Sequence, residues 1–306
     1  MKKIVIAVLN LFIICTLSSC ASNPYAKTNK IYKKEAEMYA RQLRKLPPNN
    51  TSEDYPLSYG DYAVGTTNFN LRKPNYVVIH HTAQDSLEQT LRTFTLPRTQ
   101  VSAHYVISKN GKVYHMLNDY YRAWHGGVGQ WGSDTDLNSG SIGIELDNNG
   151  VEPFPDAQIY SLLAVLNQLK QKYNIPTANF IGHSDIAPSR KVDPSALFPW
   201  KKIAEEGFGL WYDEDAVKQL EMGSEFNKNT ENPLIEQILI VAGIYKPVIV
   251  PVNFDPMEAL KIIGYDISDP DAAIKAFELH FIQNDIDGEL SDHELAVLYN
   301  LYKKYL

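Results

Sequence analysis

The stretch IGHSDIAPSRKVDP, Ile181 to Pro194, gathers a histidine, a lysine and two aspartates on a segment stiffened by Pro188 and Pro194. Far upstream, His80 and His81 end the apolar run YVVI. Imidazole nitrogens and carboxylate oxygens bind zinc where no cysteine serves. Three protein ligands with a fourth position open are the pattern of a catalytic rather than a structural ion. His80, His183 and Asp193 make such a set if the segments bearing them meet. Taken by spacing alone the signal is weak, since scattered histidines are commonest as hydrogen-bonded core or surface residues.

The elements needed to bring them together are legible. YVVI (76–79) reads as a buried strand, and Leu87, Leu91 and Phe94 recur at helical spacing. AHYVIS and KVYHML flank Lys109-Asn110-Gly111, a hairpin signal. SIGIEL (141–146) is another strand, and Ile159, Leu162, Leu163, Leu166, Leu169 and Tyr173 mark one face of a helix ended by Asn174 and Pro176. NFIGH returns as a strand, so His80 and His183 both stand at strand ends. The pattern predicts a mixed α/β fold: a central mixed β-sheet flanked by helices, with a small C-terminal helical bundle. If the first strand continues through both histidines, His80 and His81 point to opposite faces, and only one of them faces a common site.

With 306 residues and 44% hydrophobic content, the chain can bury one sizeable core and a second, smaller one. The formal charge of -7, with no long basic run, excludes the electrostatic footprint of a nucleic-acid binder. The first twenty residues form a signal peptide: Lys2 and Lys3, an apolar run from Ile4 to Leu17, then Ser18, Ser19 and Cys20. Leu17-Ser18-Ser19-Cys20 resembles the bacterial lipobox, which implies lipidation at Cys20. Ala21, where Asp would favour inner-membrane retention, implies an outer-membrane lipoprotein, expected to face the periplasm. Cys15 leaves with the signal, so the mature chain forms no internal disulfide.

VVIHHTA, SAHYVI, RAWHGG, SIGIELDNNG and GHSDIAPSRKVDP, in this order, resemble the zinc-dependent N-acetylmuramoyl-L-alanine amidases, whose domain is shared with peptidoglycan recognition proteins. The likeness is greatest to the outer-membrane lipoprotein amidases, and it spans roughly 70 to 212, running into LFPWKKIAEEGFGLW. The resemblance implies one Zn2+ per chain on His80, His183 and Asp193, with Glu145 as general base and Lys191 as oxyanion stabiliser. It picks His80 over His81, leaving His81 to packing. It also implies the substrate bond, the amide between the lactyl group of N-acetylmuramic acid and L-alanine in peptidoglycan or muropeptides. Trp124, His125 and Arg190 are expected to touch that substrate, Arg190 through a peptide carboxylate. His104 resembles a position near the site, although a histidine bonded to backbone explains it as well. His115 carries no signal, and Asp185 reads as a loop or capping residue.

The expected organisation is a signal peptide over 1–20, a tether over 21–69 with a helix near Glu35 to Leu46, a catalytic domain over 70–215, a linker over 216–231 and a helical peptidoglycan-binding-like domain over 232–306. In the last, Asn232-Pro233, Asp255-Pro256, Asp269-Pro270 and Ser291 to Glu294 are helix starts. Ile274, Phe277 and Phe281 share one helical face, and Leu295, Leu298 and Tyr302 another. Asp285, Asp287, Gly288, Leu290 and Glu294 sit at calcium-loop spacing. The first position, though, is the neutral Gln283, so the segment reads as a turn. A monomer is expected. Two rival readings stand beside the amidase: a module that recognises muropeptides without cutting them, and a zinc hydrolase of another amide.

Overall fold

Helix α1 (Ala26–Leu43) starts well before the expected Glu35, because nothing from Ala26 onward breaks a helix, and none of its residues is buried. It belongs to the first of two compact units, Met1–Asn70, and all that follows belongs to the second, Leu71–Leu306. The computed structural model describes residues 23–44, 66, 68, 71, 73–229, 241 and 248–306. Cys20, most of the expected tether and the helix start at Asn232-Pro233 lie outside them.

In the second unit the apolar run becomes β1 (Tyr76–His81), followed by α2 (Leu87–Thr93), which Ser86 caps by accepting from the Gln89 N–H. The hairpin strands are β2 (Tyr105–Ile107) and β3 (Val113–His115), and the short α3 (Leu137–Gly140) leads directly into β4 (Ser141–Leu146). Next come α4 (Asp156–Tyr173), β5 (Phe180–Gly182) and α5 (His183–Ile186). Asn174 ends α4 in the left-handed region, as the sequence foretells. The sheet order is β3-β2-β4-β1-β5, with β2 antiparallel to β3 and every other pair parallel.

Strand residues alternate between two apolar layers. Val77, Ile79, Ile142, Ile144 and Phe180 pack against α4 through Ile159, Leu162, Leu166 and Leu169. Truncating one such buried leucine to alanine removes about 2–5 kcal/mol of stability. Val78 and Ile181 point the other way, into a core completed by the C-terminal elements. Those are α7 (Glu214–Asn229), α8 (Pro256–Ile263), α9 (Pro270–Phe281) and α10 (Asp292–Tyr305), whereas α6 (Trp200–Glu205) joins the first layer through Trp200 and Ile203.

Asp255, Asp269 and Ser291 cap the last three helices as expected. Where a linker is expected over 216–231, α7 is helical through Asn229. In its first two turns Glu214, Asp215, Lys218 and Gln219 are exposed while Val217 and Leu220 are buried, so a polar sequence here marks an exposed helix face. The C-terminal helices also share one core with the sheet: Leu260, Phe277 and Leu298 belong to the cluster that contains Val78, Leu137 and Ile186.

Candidate active site

The parallel register of β1 and β4 sets His80 opposite Glu145, on the same side of the sheet, and β5 ends where His183 begins α5. The chain then turns through 187–192 and returns, the Asp193 carbonyl accepting the Ser184 N–H at 2.8 Å. His80 Nδ1 is thereby 2.9 Å from His183 Nδ1, and Asp193 Oδ2 lies 3.1 and 3.0 Å from the two. Among the described residues, His80, His183 and Asp193 are the one group that could hold a metal ion. His81 points to the opposite face, where its Nδ1 accepts the Ser195 N–H.

The surrounding hydrogen bonds assign the protons. Ser141 Oγ–H donates to the Leu137 carbonyl, so the contact at 3.2 Å between Ser141 Oγ and His125 Nε2 needs the hydrogen on His125. Burial keeps His125 well below its ordinary pKa and hence neutral, which leaves its Nδ1 bare to accept from His80 Nε2 at 3.1 Å. Burial first, then the neighbouring His183, lowers His80 to about 4, so His80 Nδ1 carries no proton either. His183 Nε2 donates to the Gly126 carbonyl at 3.1 Å, which turns Nδ1 toward His80 and Asp193. Burial raises the Asp193 carboxyl, but hydrogen bonds to His183 and His80 outweigh it and hold the group well below the usual carboxylate range. His80 Nδ1, His183 Nδ1 and Asp193 Oδ2 thus converge within 3.1 Å of one another, two ring nitrogens turned toward one carboxylate oxygen. Nitrogen, nitrogen and oxygen donors fit a divalent zinc ion with an open position.

Burial pushes the Glu145 carboxyl up to about 8, Asp193 adding to the rise and Lys191 opposing it. Lys191 is partly exposed on the ligand loop, near enough for its charge to act on both Glu145 and His80. A buried carboxyl shifted toward neutral pH and a lysine therefore flank this group of His80, His183 and Asp193, residue types suited to proton transfer and to stabilising negative charge.

The residues expected on the substrate divide. Trp124 is 47% exposed and free to offer its ring. His125 is buried, and both its ring nitrogens are engaged inside the protein, so it stands behind His80 rather than before a ligand. Arg190 directs Nη2 to the Gly126 and Val128 carbonyls and fastens that loop. His104 is bonded to backbone: Nδ1 accepts from the Gly143 N–H and Nε2 donates to the Tyr121 carbonyl. His115 joins Lys172, Tyr105 and Tyr173 on the buried carboxylate of Asp119. In the acidic turn Asp287 accepts the Glu289 N–H and Glu294 the Ser291 N–H.

Sequence reasoning passed over Ser141 and Asn138, whose Oδ1 accepts the N–H groups of both His125 and Gly126. Their signal was position alone, at the start of a strand and just before it.

A profile of the N-acetylmuramoyl-L-alanine amidase family matches residues 70–196. The N-acetylmuramoyl-L-alanine amidase AmiD of Escherichia coli K12 is 32% identical over 246 residues, which are 75% of this chain and 82% of AmiD. The chain belongs to the N-acetylmuramoyl-L-alanine amidase family. As a member it is a hydrolase, an amidase of peptidoglycan turnover. The structure of E. coli AmiD in complex with anhydro-N-acetylmuramic acid-L-Ala-D-gamma-Glu-L-Lys superposes with a TM-score of 0.62 at 30% identity, covering 79% of this amidase and 93% of that chain. AmpDH3 of Pseudomonas aeruginosa, in complex with an anhydromuramic pentapeptide, gives 0.62 at 27% identity over 81% and 98%. Both matches reach beyond the residues of the family profile, so the C-terminal helices of this amidase share in the likeness.

Proposed function

We propose that this amidase hydrolyses the amide between the lactyl group of N-acetylmuramic acid and L-alanine in peptidoglycan or muropeptides, with one zinc ion held by His80, His183 and Asp193. The observation that carries the reading is the convergence of those three ligand atoms beside the buried Glu145 and Lys191. A bound zinc ion supplies Lewis acidity toward the amide carbonyl and lowers the pKa of a water molecule. Glu145 takes the proton of the attacking water and returns it to the departing amine of L-alanine. Lys191 stabilises the negative charge that develops on the amide oxygen. His125 and the Gly126 carbonyl keep the two imidazoles in the tautomer that presents Nδ1.

The anhydromuramyl peptides bound by the E. coli and P. aeruginosa relatives support the substrate class. Trp124 is the exposed aromatic available to such a ligand. The lipobox sequence ending at Cys20 supports a lipid anchor in the outer membrane; among the described residues no helix is long and apolar enough to cross a membrane. Residues 232–306 are also proposed to contact the wall.

The test is incubation of the purified protein with a muropeptide, in zinc or in chelator, followed by mass spectrometry. Zinc-dependent release of a peptide beginning at L-alanine is expected. Substrate that binds but stays intact would make the chain a recognition module, and cleavage elsewhere in the stem would overturn the bond named here.

A further inference from the structure

Asp185 lies two residues beyond the ligand His183, and its carboxylate is fully buried. Oδ2 accepts the Gly182 N–H at 2.6 Å, which caps the turn on which His183 stands. The remaining partners come from the C-terminal region: Tyr265 O–H donates to Oδ1 at 2.9 Å, and His280 Nδ1 meets Oδ2 at 2.8 Å. The His280 ring is stacked on Trp200, with ring centres 3.8 Å apart, and on Phe281. One turn further on, Gln283 Nε2 donates to the carbonyls of Ala196 and Phe198 at 3.0 and 2.6 Å. The loop that carries His183, Lys191 and Asp193 is therefore held near its start by His280 and past its end by Gln283.

Two details argue that these contacts are more than incidental packing. Gln283 holds a left-handed backbone, with φ of +70°, which disfavours any residue but glycine. A glycine there would relax the chain but would lose both side-chain bonds to the loop. His280 leaves its Nε2 buried with no hydrogen-bond partner among the described residues. An apolar ring would fill that space without an orphaned polar atom, but it would offer nothing to Asp185.

We infer that His280, Gln283 and Tyr265 are positioning residues for the metal loop, so that α9 belongs to the catalytic machinery and is not part of a detachable module. The inference rests on His80, His183 and Asp193 being the metal site. Tyr265 and His280 orient the Asp185 carboxylate, the carboxylate fixes Gly182, and Gly182 sets where His183 presents its nitrogen. Gln283 fixes the chain just after Asp193. None of the three touches a ligand directly, but outer partners that fix where a ligand stands govern metal affinity as well as rate.

The experiment uses the full chain loaded with zinc. It compares the parent with Tyr265→Phe, His280→Ala, His280→Asn and Gln283→Gly, well below each melting temperature. Zinc retained against a competing chelator is read by metal analysis, and kcat and KM are read separately on a soluble muropeptide. Expected are zinc affinity weakened about 10- to 100-fold in His280→Ala, a lower kcat at little-changed KM, and recovery in His280→Asn, whose amide can donate to Asp185. Variants that melt earlier yet hold zinc and turn over like the parent would overturn the inference and leave these residues merely structural. If His280→Ala does not fold, Tyr265→Phe and Gln283→Gly decide, since each removes side-chain donors without opening the sheet. His183→Ala separates the two readings. Should it hold zinc as tightly as the parent, the metal site itself is wrong and the inference falls with it.

Discussion

The ring of His125 lies against the α-carbon of Gly143, so close that a β-carbon there would overlap it. Gly143 belongs to β4 on the side of the sheet that bears His80, and His125 is the residue that accepts the His80 Nε2–H. Any side chain at position 143 therefore displaces the support of a ligand. Gly143→Ala should cost about 1–3 kcal/mol through overpacking, and it should lose zinc to chelator more readily than the parent. Thermal melts and metal analysis on the same preparation check both. A variant that is destabilised but retains zinc normally would show that His125 does not hold His80.

His183→Ala should lose the ion while keeping the fold, because its ring meets polar groups rather than the apolar layers. Glu145→Gln should keep zinc and lose about 10²- to 10⁴-fold in kcat, the usual contribution of a general base. Metal content and turnover of the two variants give opposite patterns. Full activity in the glutamine variant would remove Glu145 from the reaction.

Burial also makes Glu145 a source of instability in the metal-free protein. Its folded pKa of about 8 lies above the ordinary 4.5 of the unfolded chain, so folding favours the protonated form. The folded state is not penalised below about pH 4.5, and it loses stability as pH rises from there toward 8. In chelated protein, Glu145→Gln should raise the melting temperature at pH 8 by an amount worth on the order of a few kcal/mol, and should change nothing near pH 4. Equal melting of the two proteins at pH 8 would contradict the buried environment described for this carboxylate.

Asp119 carries the opposite sign. Burial raises its carboxyl, but hydrogen bonds from His115, Tyr173, Lys172 and Tyr105 outweigh that and hold it well below the usual range. The stabilisation is present above the unfolded pKa near 3.8 and fades as the solution is acidified below it. This cluster ties the β2–β3 hairpin to α4, away from the ligand set. Asp119→Ala should cost about 3–5 kcal/mol in denaturant melts at pH 7, with kcat of the folded fraction unchanged. Loss of kcat at full stability would assign Asp119 a role in the reaction instead.

How far the sequence reveals all this depends on distance along the chain. The strands and α4 follow from local periodicity, and the caps at Ser291, Asp255 and Asp269 follow from residues within one turn. The side of β1 that faces the site follows from the two-residue repeat of a strand. The polar residues early in α7, such as Lys218 and Gln219, read as a linker because exposure looks the same on a helix, and two buried side chains, Val217 and Leu220, are a faint stripe. His125 and Arg190 bear side chains suited to a ligand, and only the fold reveals that Ser141, His80 and the Gly126 and Val128 carbonyls already occupy them. The third partner of Asp185 stands 95 residues downstream, beyond any local pattern.

The Gly126 carbonyl accepts from both His183 and Arg190, while Asn138 takes the N–H groups on either side of the His125–Gly126 peptide. The wall next to the exposed Trp124 is thus immobile before any glycopeptide arrives. Ordering a mobile side chain at an interface costs about 0.5–1.5 kcal/mol, and a wall already rigid escapes that loss of entropy. A glycopeptide lying along this edge, as proposed, should therefore be recognised by matching its shape to a preset surface.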